Sequence, residues 1–354
     1  MEPENQIQPA PNPAPLVEVW RGSIVESRHR GHVAAVDGDG RLVASLGDPE
    51  TVTYLRSSAK PFQAVPLLTS GAAERFRLTE AELAVACGSH SGEDLHVETV
   101  ARLLEKIGVD AALLKCGVHE PFDRETAERL RARGKTPGVL RNNCSGKHAG
   151  MLALSLHLGA PPELYDDPAS PVQQSVLRAV SQFSDVDADD IALGTDGCSL
   201  PVFGLPVRAM ALMYARLVAP PRGFDAATRD ACARLAGAMN ARPELVGGTK
   251  ERFDTEVMRA GRGRLVSKIG AEGIYTAGVL PCERWPKGLG LAFKIEDGED
   301  RRARSTIAIE ALRQLDVLEE DAHKTLSPYA KFSVQNHRGE KVGEIRAFFQ
   351  LKRA

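Results

Sequence analysis

Segments with the alternation of β-strands lie at both ends of this chain, and the long region between them has helical periodicity. Near the N-terminus the pattern predicts a strand at 17–24 and a hairpin at 32–45, whose turn, Asp37-Gly38-Asp39-Gly40, offers the residues that tolerate positive φ. Near the C-terminus it predicts strands or hairpins at 264–269, 273–278, 290–295 and 332–349. One sheet built from both chain ends, with a helical insertion, is the simplest architecture for this order.

The region between the strands is predicted to be mainly helical. Helices are expected at 58–68, 79–86, 93–107, 123–133, 146–158, 171–183, 204–217, 225–239 and 300–315. Thr79 and Glu82 suit a capping box, and Pro61 suits the first turn of its helix. The fold class expected is therefore α/β (α+β), with one domain at 16–354. Within it, 16–56 and 264–354 form a sheet lobe and 57–263 a mainly helical region. Residues 1–15, rich in Pro, Asn and Gln, are predicted to be a disordered tail.

Charge and cysteine content argue against several classes of protein. The 45 Lys and Arg residues nearly balance 47 Asp and Glu residues, giving a net charge of -2, so no surface for nucleic acid is expected. No segment resembles a secretory signal or approaches the roughly 20 apolar residues of a membrane span. Six cysteines in 354 residues do not resemble a disulfide framework. The chain is therefore expected to be cytoplasmic and reduced, without a nucleic-acid or membrane partner.

A serine and a lysine are spaced one helical turn apart where a strand is predicted to end. In Ser57-Ser58-Ala59-Lys60 the lysine amine is expected beside the Ser57 hydroxyl. A neutral lysine could accept the serine proton if burial or a nearby cation lowered its pKa, and the serine would then be a nucleophile. The alternative is a helix cap followed by a surface lysine.

Two further segments favour the nucleophile. The turn Cys87-Gly88-Ser89-His90-Ser91-Gly92-Glu93 has small residues that allow close approach of a ligand, and Ser89 could relay a proton. Lys268-Ile269-Gly270 resembles the strand-borne Lys-Thr-Gly of serine β-lactamases and penicillin-binding proteins. Each segment could instead be an ordinary turn. However, Ser-x-x-Lys, Ser-x-Ser and Lys-x-Gly occur in the order that serine β-lactamase-like enzymes use.

Two of the cysteines lie in polar turns that contain glycine. The first turn, 141–150, contains Cys144, Lys147 and His148, and the second, 195–201, contains Asp196 and Cys198. Two thiolates and a nitrogen ligand could hold zinc with an open fourth position, and His148 is a more usual ligand than lysine. Cys144 could alternatively be a thiol nucleophile with His148 as its base. Asp196 could orient a substrate ammonium group.

Five stretches together resemble the rhizobial-type (class 3, thermolabile) L-asparaginase family. They are RSSAKPFQ at 56–63, CGSHSGE at 87–93, NNCSGKH at 142–148, TDGCSLP at 195–201 and KIGAEG at 268–273. The resemblance extends in order over essentially all of 16–350. The family is related in fold to serine β-lactamases and glutaminases. The resemblance implies a serine β-lactamase-like fold and the hydrolysis of L-asparagine to L-aspartate and ammonia.

The resemblance also implies roles for individual residues. Catalysis would depend on two serine–lysine pairs, with Ser57 and Lys60 as nucleophile and base, and Ser89 and Lys268 as the supporting pair. The residues implied to bind substrate are Arg56, His90, Asp196, Gly270 and Glu272. Those implied to bind Zn²⁺ are Cys144, Lys147 and Cys198. A homodimer is also implied.

Two other interpretations are open from the sequence. One is a different amidase on the same scaffold, either a glutaminase or a β-lactam-reactive serine hydrolase. The other is a zinc-stabilised binding protein without catalytic activity.

Overall fold

Twelve strands and thirteen helices lie in residues 12–354, the part of the chain that the computed structural model describes. The strands are β1 (Ala14–Arg21), β2 (Ile24–Asp37), β3 (Leu42–Leu46), β4 (Val52–Tyr54), β5 (Ala192–Thr195), β6 (Pro201–Pro206), β7 (Leu265–Ile269), β8 (Ile274–Val279), β9 (Leu289–Ile295), β10 (Phe332–Gln335), β11 (Lys341–Ala347) and β12 (Lys352–Arg353). The helices are α1 (Lys60–Thr69), α2 (Ala72–Arg75), α3 (Glu80–Ala86), α4 (Asp94–Ile107), α5 (Arg124–Ala132), α6 (Ser145–Leu158), α7 (Pro171–Ser184), α8 (Val207–Val218), α9 (Ala226–Ala241), α10 (Pro243–Val246), α11 (Phe253–Ala260), α12 (Arg304–Gln314) and α13 (Glu320–Ala330). Most of the predicted tail, residues 1–11, lies outside the described residues, and β1 already begins at Ala14.

Both ends of the chain build one antiparallel sheet. Its order is β10-β11-β1-β2-β9-β8-β7, with β3 beside β2 and β12 beside β3. The N-terminal hairpin of β1 and β2 therefore lies between C-terminal strands, with Val17 opposite Ala347 and Val33 opposite Phe293. The predicted sheet from both chain ends, with a mainly helical insertion between them, is confirmed. The division at 16–56, 57–263 and 264–354 stays a prediction.

Two apolar clusters cover the two faces of this sheet. Ala34 and Val36 of β2 belong to the cluster formed with α1, α3, α6, α7, α8 and α9. Val33 and Ala35 belong to the other cluster, which contains most of the buried residues of α12. This division follows from the alternation of side chains along a strand. At Gly290 of β9 a Cβ would lie 1.8 Å from the Ala211 carbonyl oxygen, so the close approach of α8 to the sheet requires glycine there.

Two predicted helices begin too early. The segment 300–315 was predicted to be a helix, but α12 begins at Arg304. The segment 204–217 was predicted to be one helix, but Gly204 lies in β6 and α8 begins at Val207. The residues 201–207 are all apolar or glycine and cross the boundary between β6 and α8, so hydrophobic periodicity gave no sign of it. β6 pairs with β4 and β5 in a separate three-stranded sheet, of which only β4 was expected.

Among the helices of residues 12–354, none combines the length and apolarity needed to cross a membrane.

Candidate active site

A strained turn presents Ser57 at the end of β4. Ser57 is half-buried in a 3₁₀ helix, Arg56–Ala59, which leads into α1. Arg56 has φ of 51°, in the left-handed region that L-residues other than glycine seldom adopt. Its guanidinium forms an ion pair with Asp196, with Nε and Nη2 each 3.0 Å from Oδ1. Strained backbone of this kind persists where surrounding contacts determine it, and the ion pair is one such contact.

Buried hydrogen bonds fix this turn to β7. The hydroxyls of Ser58 and Thr276 both donate to the carbonyl oxygen of Lys268, each at 3.0 Å. The Tyr214 hydroxyl donates to the Ser58 carbonyl oxygen at 2.9 Å. The main chain of Lys268 is therefore held beside the start of α1, although more than two hundred residues separate them in sequence.

The Lys60 amine is fully buried among three acceptors. Lys60 is 0% exposed, and its Nζ lies 2.6 Å from the Gly88 carbonyl, 2.9 Å from Ser89 Oγ and 3.0 Å from the Asn143 carbonyl. A neutral amine has two N–H bonds for the two carbonyls and a lone pair that can accept the Ser89 proton. Burial lowers the pKa of Lys60 and so favours this neutral form.

Ser89 is also bonded to the second lysine. Lys268 is 0% exposed, and its Nζ lies 2.9 Å from Ser89 Oγ and 2.9 Å from the Ile269 carbonyl. Burial lowers the pKa of Lys268 to about 7. Because the Ser89 hydroxyl has one proton, it can donate to one amine while accepting from the other. Lys60, Ser89 and Lys268 therefore form a continuous path along which a proton can move.

Lys60 makes its hydrogen bonds to residues other than Ser57. In residues 12–354 the side-chain hydrogen bonds of Lys60 go to Gly88, Ser89 and Asn143. In a 3₁₀ helix, residues three apart lie directly above one another, so the spacing does bring the two residues to one side. The long lysine stem then extends to the turn that contains Ser89. The structure thus brings all four predicted catalytic residues into one region and joins both lysines through Ser89.

Charged residues implied to bind substrate are grouped around Arg56. Asp196 pairs with Arg56, and Glu272 Oε1 lies 4.0 Å from Arg56 Nη1. The Glu272 side chain is 68% exposed, and the backbone of this residue has φ of 59°. At Gly270 a Cβ would lie 2.8 Å from the Ile274 side chain, so this position serves close packing of the strand.

His90 is placed differently from these residues. Its Nδ1 accepts from the Gly92 N–H at 3.2 Å, and its Nε2 lies 2.9 Å from Ser145 Oγ. Burial lowers the pKa of His90 well below its ordinary value, so the ring is neutral. Both ring nitrogens of this predicted substrate residue are engaged within the protein, which suits a role in shaping the turn around Ser89.

The predicted metal ligands lie together. Cys144 is the N-cap of α6, Lys147 follows in its first turn, and Cys198 lies in the turn between β5 and β6. All three are about 5% exposed or less, and both cysteines are free thiols. A hydrogen bond with Cys198 and the nearby Lys60 and Lys147 amines lower the pKa of Cys144. Within residues 12–354 no three His, Cys, Asp or Glu side chains group as a metal site, so a site here depends on the lysine.

Within residues 12–354, no hydrogen bond joins the side chains of Cys144 and His148, which were the alternative nucleophile and base. His148 is fully buried, and its Nδ1 lies 2.7 Å from the Tyr165 hydroxyl. Its Nε2 has no partner among residues 12–354. The histidine is therefore tied to Tyr165.

Two residues of the site were not among the predicted catalytic, substrate-binding or metal-binding residues. Arg252 donates from Nη2 to the Ser89 carbonyl at 2.7 Å, and its guanidinium lies over the Phe122 ring. Asp254 is buried next to Lys268, with 3.6 Å between Oδ2 and Nζ. The segment 252–255 could be interpreted from sequence as a substrate loop or as a helix boundary, and α11 does begin there, at Phe253. An acidic residue in a first helical turn is too common to indicate a lysine partner.

A family profile matches most of the chain. The sequence profile of the family described as L-asparaginase II matches residues 17–347. No curated protein matches the chain.

Some solved structures are similar at low identity. The native form of a protein called Mglu is 14% identical, covers 81% of this chain and has a TM-score of 0.44. A probable glutaminase from Bacillus subtilis, complexed with 6-diazo-5-oxo-L-norleucine, is 10% identical, covers 81% of this chain and has a TM-score of 0.41. The chain spans 63% of the length of the first and 85% of the second. Similarity at this level carries no conclusion about the activity of the chain.

Proposed function

Because the chain belongs to the L-asparaginase II family, we propose that it hydrolyses the side-chain amide of L-asparagine through a covalent ester of Ser57. The products are L-aspartate and ammonia. The observation that carries this proposal is the convergence of two buried amines, Lys60 and Lys268, each 2.9 Å from the Ser89 hydroxyl. Burial lowers the pKa of both lysines, which makes them proton acceptors beside a serine nucleophile.

In the proposed acylation step, neutral Lys60 takes the Ser57 hydroxyl proton as Oγ attacks the amide carbon of asparagine. Backbone N–H groups around Ser57 stabilise the negative charge on the amide oxygen. The C–N bond breaks when the nitrogen receives a proton through Ser89 and Lys268, and ammonia leaves. The hydrogen bonds between Ser89 and both lysines support this proton path.

Water then hydrolyses the β-aspartyl ester. A lysine that is neutral again accepts a proton from the water as its oxygen attacks the ester carbon. The C–O bond to Ser57 breaks, the serine regains its proton and aspartate leaves. The same path therefore serves both halves of the reaction, with the proton moving in opposite directions.

Charges around Arg56 suit an amino-acid substrate. A free amino acid carries an ammonium and a carboxylate, and Asp196 and Arg56 present the complementary charges next to Ser57. Glu272, 4.0 Å from Arg56, adds a second acidic group. In this proposal Asp196 receives the α-ammonium and Arg56 the α-carboxylate.

We also propose a zinc ion held by Cys144, Lys147 and Cys198. Two buried free thiols and a buried amine form a donor set that fits Zn²⁺ with one position open. When bound there, zinc would supply a Lewis acid able to hold or polarise an oxygen of the substrate. The steps above depend only on the serines and lysines.

Metal analysis tests the zinc site. Purified protein is expected to contain about one zinc ion per chain, and Cys144→Ser and Cys198→Ser to lose most of it, because each removes a thiolate ligand. A chelator should lower the melting temperature of the wild type and not that of these variants. Cys282→Ser, at the one half-exposed free cysteine of residues 12–354, is the control and should keep its zinc. Undiminished zinc in both ligand variants would contradict the site.

The homodimeric state and cytoplasmic location stay proposals of the same kind. The six free cysteines support a reducing environment. Light scattering on the purified protein measures the mass directly.

Ammonia release measures the proposed activity. With purified protein we expect the kcat/KM for L-asparagine to exceed that for L-glutamine by at least about tenfold, because a site sized for one side chain disfavours an added methylene. Nitrocefin should not be turned over. Preferential release from glutamine would make the protein a glutaminase, and no release from either amide would support a binding protein.

A further inference from the structure

A buried carboxylate, Asp254, lies beside Lys268 and has no part in the reaction steps above. Asp254 is 1% exposed and Lys268 0% exposed. The distance from Asp254 Oδ2 to Lys268 Nζ is 3.6 Å. A buried charge is costly unless it is paired and hydrogen-bonded, so the placement of this carboxylate requires an explanation.

Both oxygens of Asp254 are fixed by β7. Oδ1 accepts from the Ser267 hydroxyl at 2.8 Å, and Oδ2 accepts from the Ile269 N–H at 3.1 Å. The carboxylate is therefore bonded to the residues immediately before and after Lys268. Asp254 also lies in the first turn of α11, where a helix favours negative charge.

The contact with Lys268 acts mainly through charge. At 3.6 Å it is an ion pair and too long for a good hydrogen bond, whereas the lysine has shorter bonds to Ser89 and Ile269. Because Ser267 and Ile269 hold the carboxylate, it stays beside the amine whether or not the lysine is protonated. Its negative charge therefore favours the protonated amine throughout.

We propose that Asp254 is a positioning residue that holds β7 so that the Lys268 amine meets Ser89, and that sets the pH at which this amine loses its proton. The proposal rests on the proposed function, because it concerns the same proton path.

Several groups around Lys268 influence its protonation. Burial lowers its pKa most, Asp254 raises it, and Lys60 and Arg252 lower it again, for a pKa of about 7. Cys144 also raises it, as the smallest of these effects. Burial raises the pKa of Cys87, Tyr214 and Tyr275, so these neighbours are neutral. Within residues 12–354, Asp254 is thus the one carboxylate at ion-pair distance from Lys268.

The direction of the pH effect follows from these charges. Lys268 must be neutral to accept a proton, so kcat/KM of the wild type should fall as pH falls through about 7. Asp254→Asn keeps the size and an acceptor oxygen but removes the negative charge. The protonated amine then loses a favourable partner, its pKa falls, and the acidic limb of the profile should move down by about one pH unit or more.

Three variants separate charge from packing. Asp254→Asn removes the charge, and Asp254→Glu keeps it and should restore the limb toward its wild-type position. Ser267→Ala removes a hydrogen bond to Oδ1 and leaves the charge, so it should lower the melting temperature without moving the limb. The measurements are the pH dependence of kcat/KM for asparagine and a melting curve at each pH.

If a folded Asp254→Asn variant has the same acidic limb in its pH profile of kcat/KM as the wild type, the proposal is overturned. The proposal is also overturned if Ser267→Ala shifts this limb as far as Asp254→Asn does. Nuclear magnetic resonance of the wild type, with ¹³C-labelled lysine and aspartate, tests the charges without any assay. Over the pH range in which Lys268 loses its proton, the spectra should show an ionised Asp254. A neutral Asp254 in that pH range would overturn the proposal even if no variant folds. Absence of asparaginase activity in the wild type would refute the proposed function and leave this resonance test intact.

Discussion

Ser57→Ala is expected to lower kcat for asparagine by on the order of 10³-fold or more while the protein stays folded, because the nucleophile is lost and other groups cannot replace it. Ser57 is half-buried, and its hydroxyl is absent from the hydrogen bonds that hold the surrounding turn to β7. Removing it should therefore change the free energy of unfolding by less than about 0.5 kcal/mol. Ammonia release and thermal denaturation measure the two effects.

The control is Ser175→Ala, which removes a half-buried serine hydroxyl from α7, where it donates to the Pro171 carbonyl. Its activity and melting temperature should match those of the wild type. Peptide mapping after trapping the ester should find the added mass on Ser57. Near-normal turnover by Ser57→Ala, or an adduct on Ser89, would refute the assignment. Mapping is decisive because both lysines are hydrogen-bonded to Ser89, which makes it the one credible competitor.

Sequence alone predicted those parts of the fold that depend on local periodicity. The hairpin at 32–45 and the strands near the C-terminus follow from alternation and turn residues, and β2, β3, β7, β8 and β9 lie there. Thr79 and Glu82 form the expected capping box at the start of α3. The small sheet of β4, β5 and β6 was missed because its strands are short and β6 runs directly into an apolar helix.

The site was predictable as a set of residues but not as a network. Motif order and family resemblance indicated Ser57, Lys60, Ser89 and Lys268. The partner of each lysine amine is set by how the turn at Ser89 packs against α1 and β7, and spacing carries no information about that contact. Spacing suggested Ser57 for Lys60, whereas the hydrogen bond goes to Ser89. Asp254 could not be predicted for the same reason, because its ion pair with Lys268 depends on how α11 packs against β7.

Lys60→Met is expected to cause a loss of activity similar to that of Ser57→Ala, because methionine fills the space of the lysine stem and cannot accept a proton. The change leaves the carbonyls of Gly88 and Asn143 without their buried donor, at a cost of about 1–3 kcal/mol each. It also removes the penalty of burying an amine, which offsets part of that cost. The melting temperature should therefore fall moderately, and the kcat for asparagine by on the order of 10³-fold.

Lys106→Met is the matched control. Lys106 of α4 is a partly exposed lysine whose Nζ lies 2.8 Å from the buried Glu82 carboxylate, which also accepts from the Thr79 N–H and hydroxyl and so keeps two donors when the lysine is removed. Its loss should leave asparagine turnover unchanged. A folded Lys60→Met variant that keeps a tenth or more of wild-type kcat would show that Lys60 is not the base.

The double variant Ser57→Ala with Lys60→Met separates a shared chemical step from two independent defects. If Lys60 acts by activating Ser57, its removal from a protein that already lacks Ser57 should cause no further loss of kcat. The double variant should then be no slower than either single variant, as groups that act as one unit behave. If the two losses of kcat multiplied in the double variant, Lys60 would act independently of Ser57. Its role would then be to hold the Ser89 turn in place through its three buried hydrogen bonds.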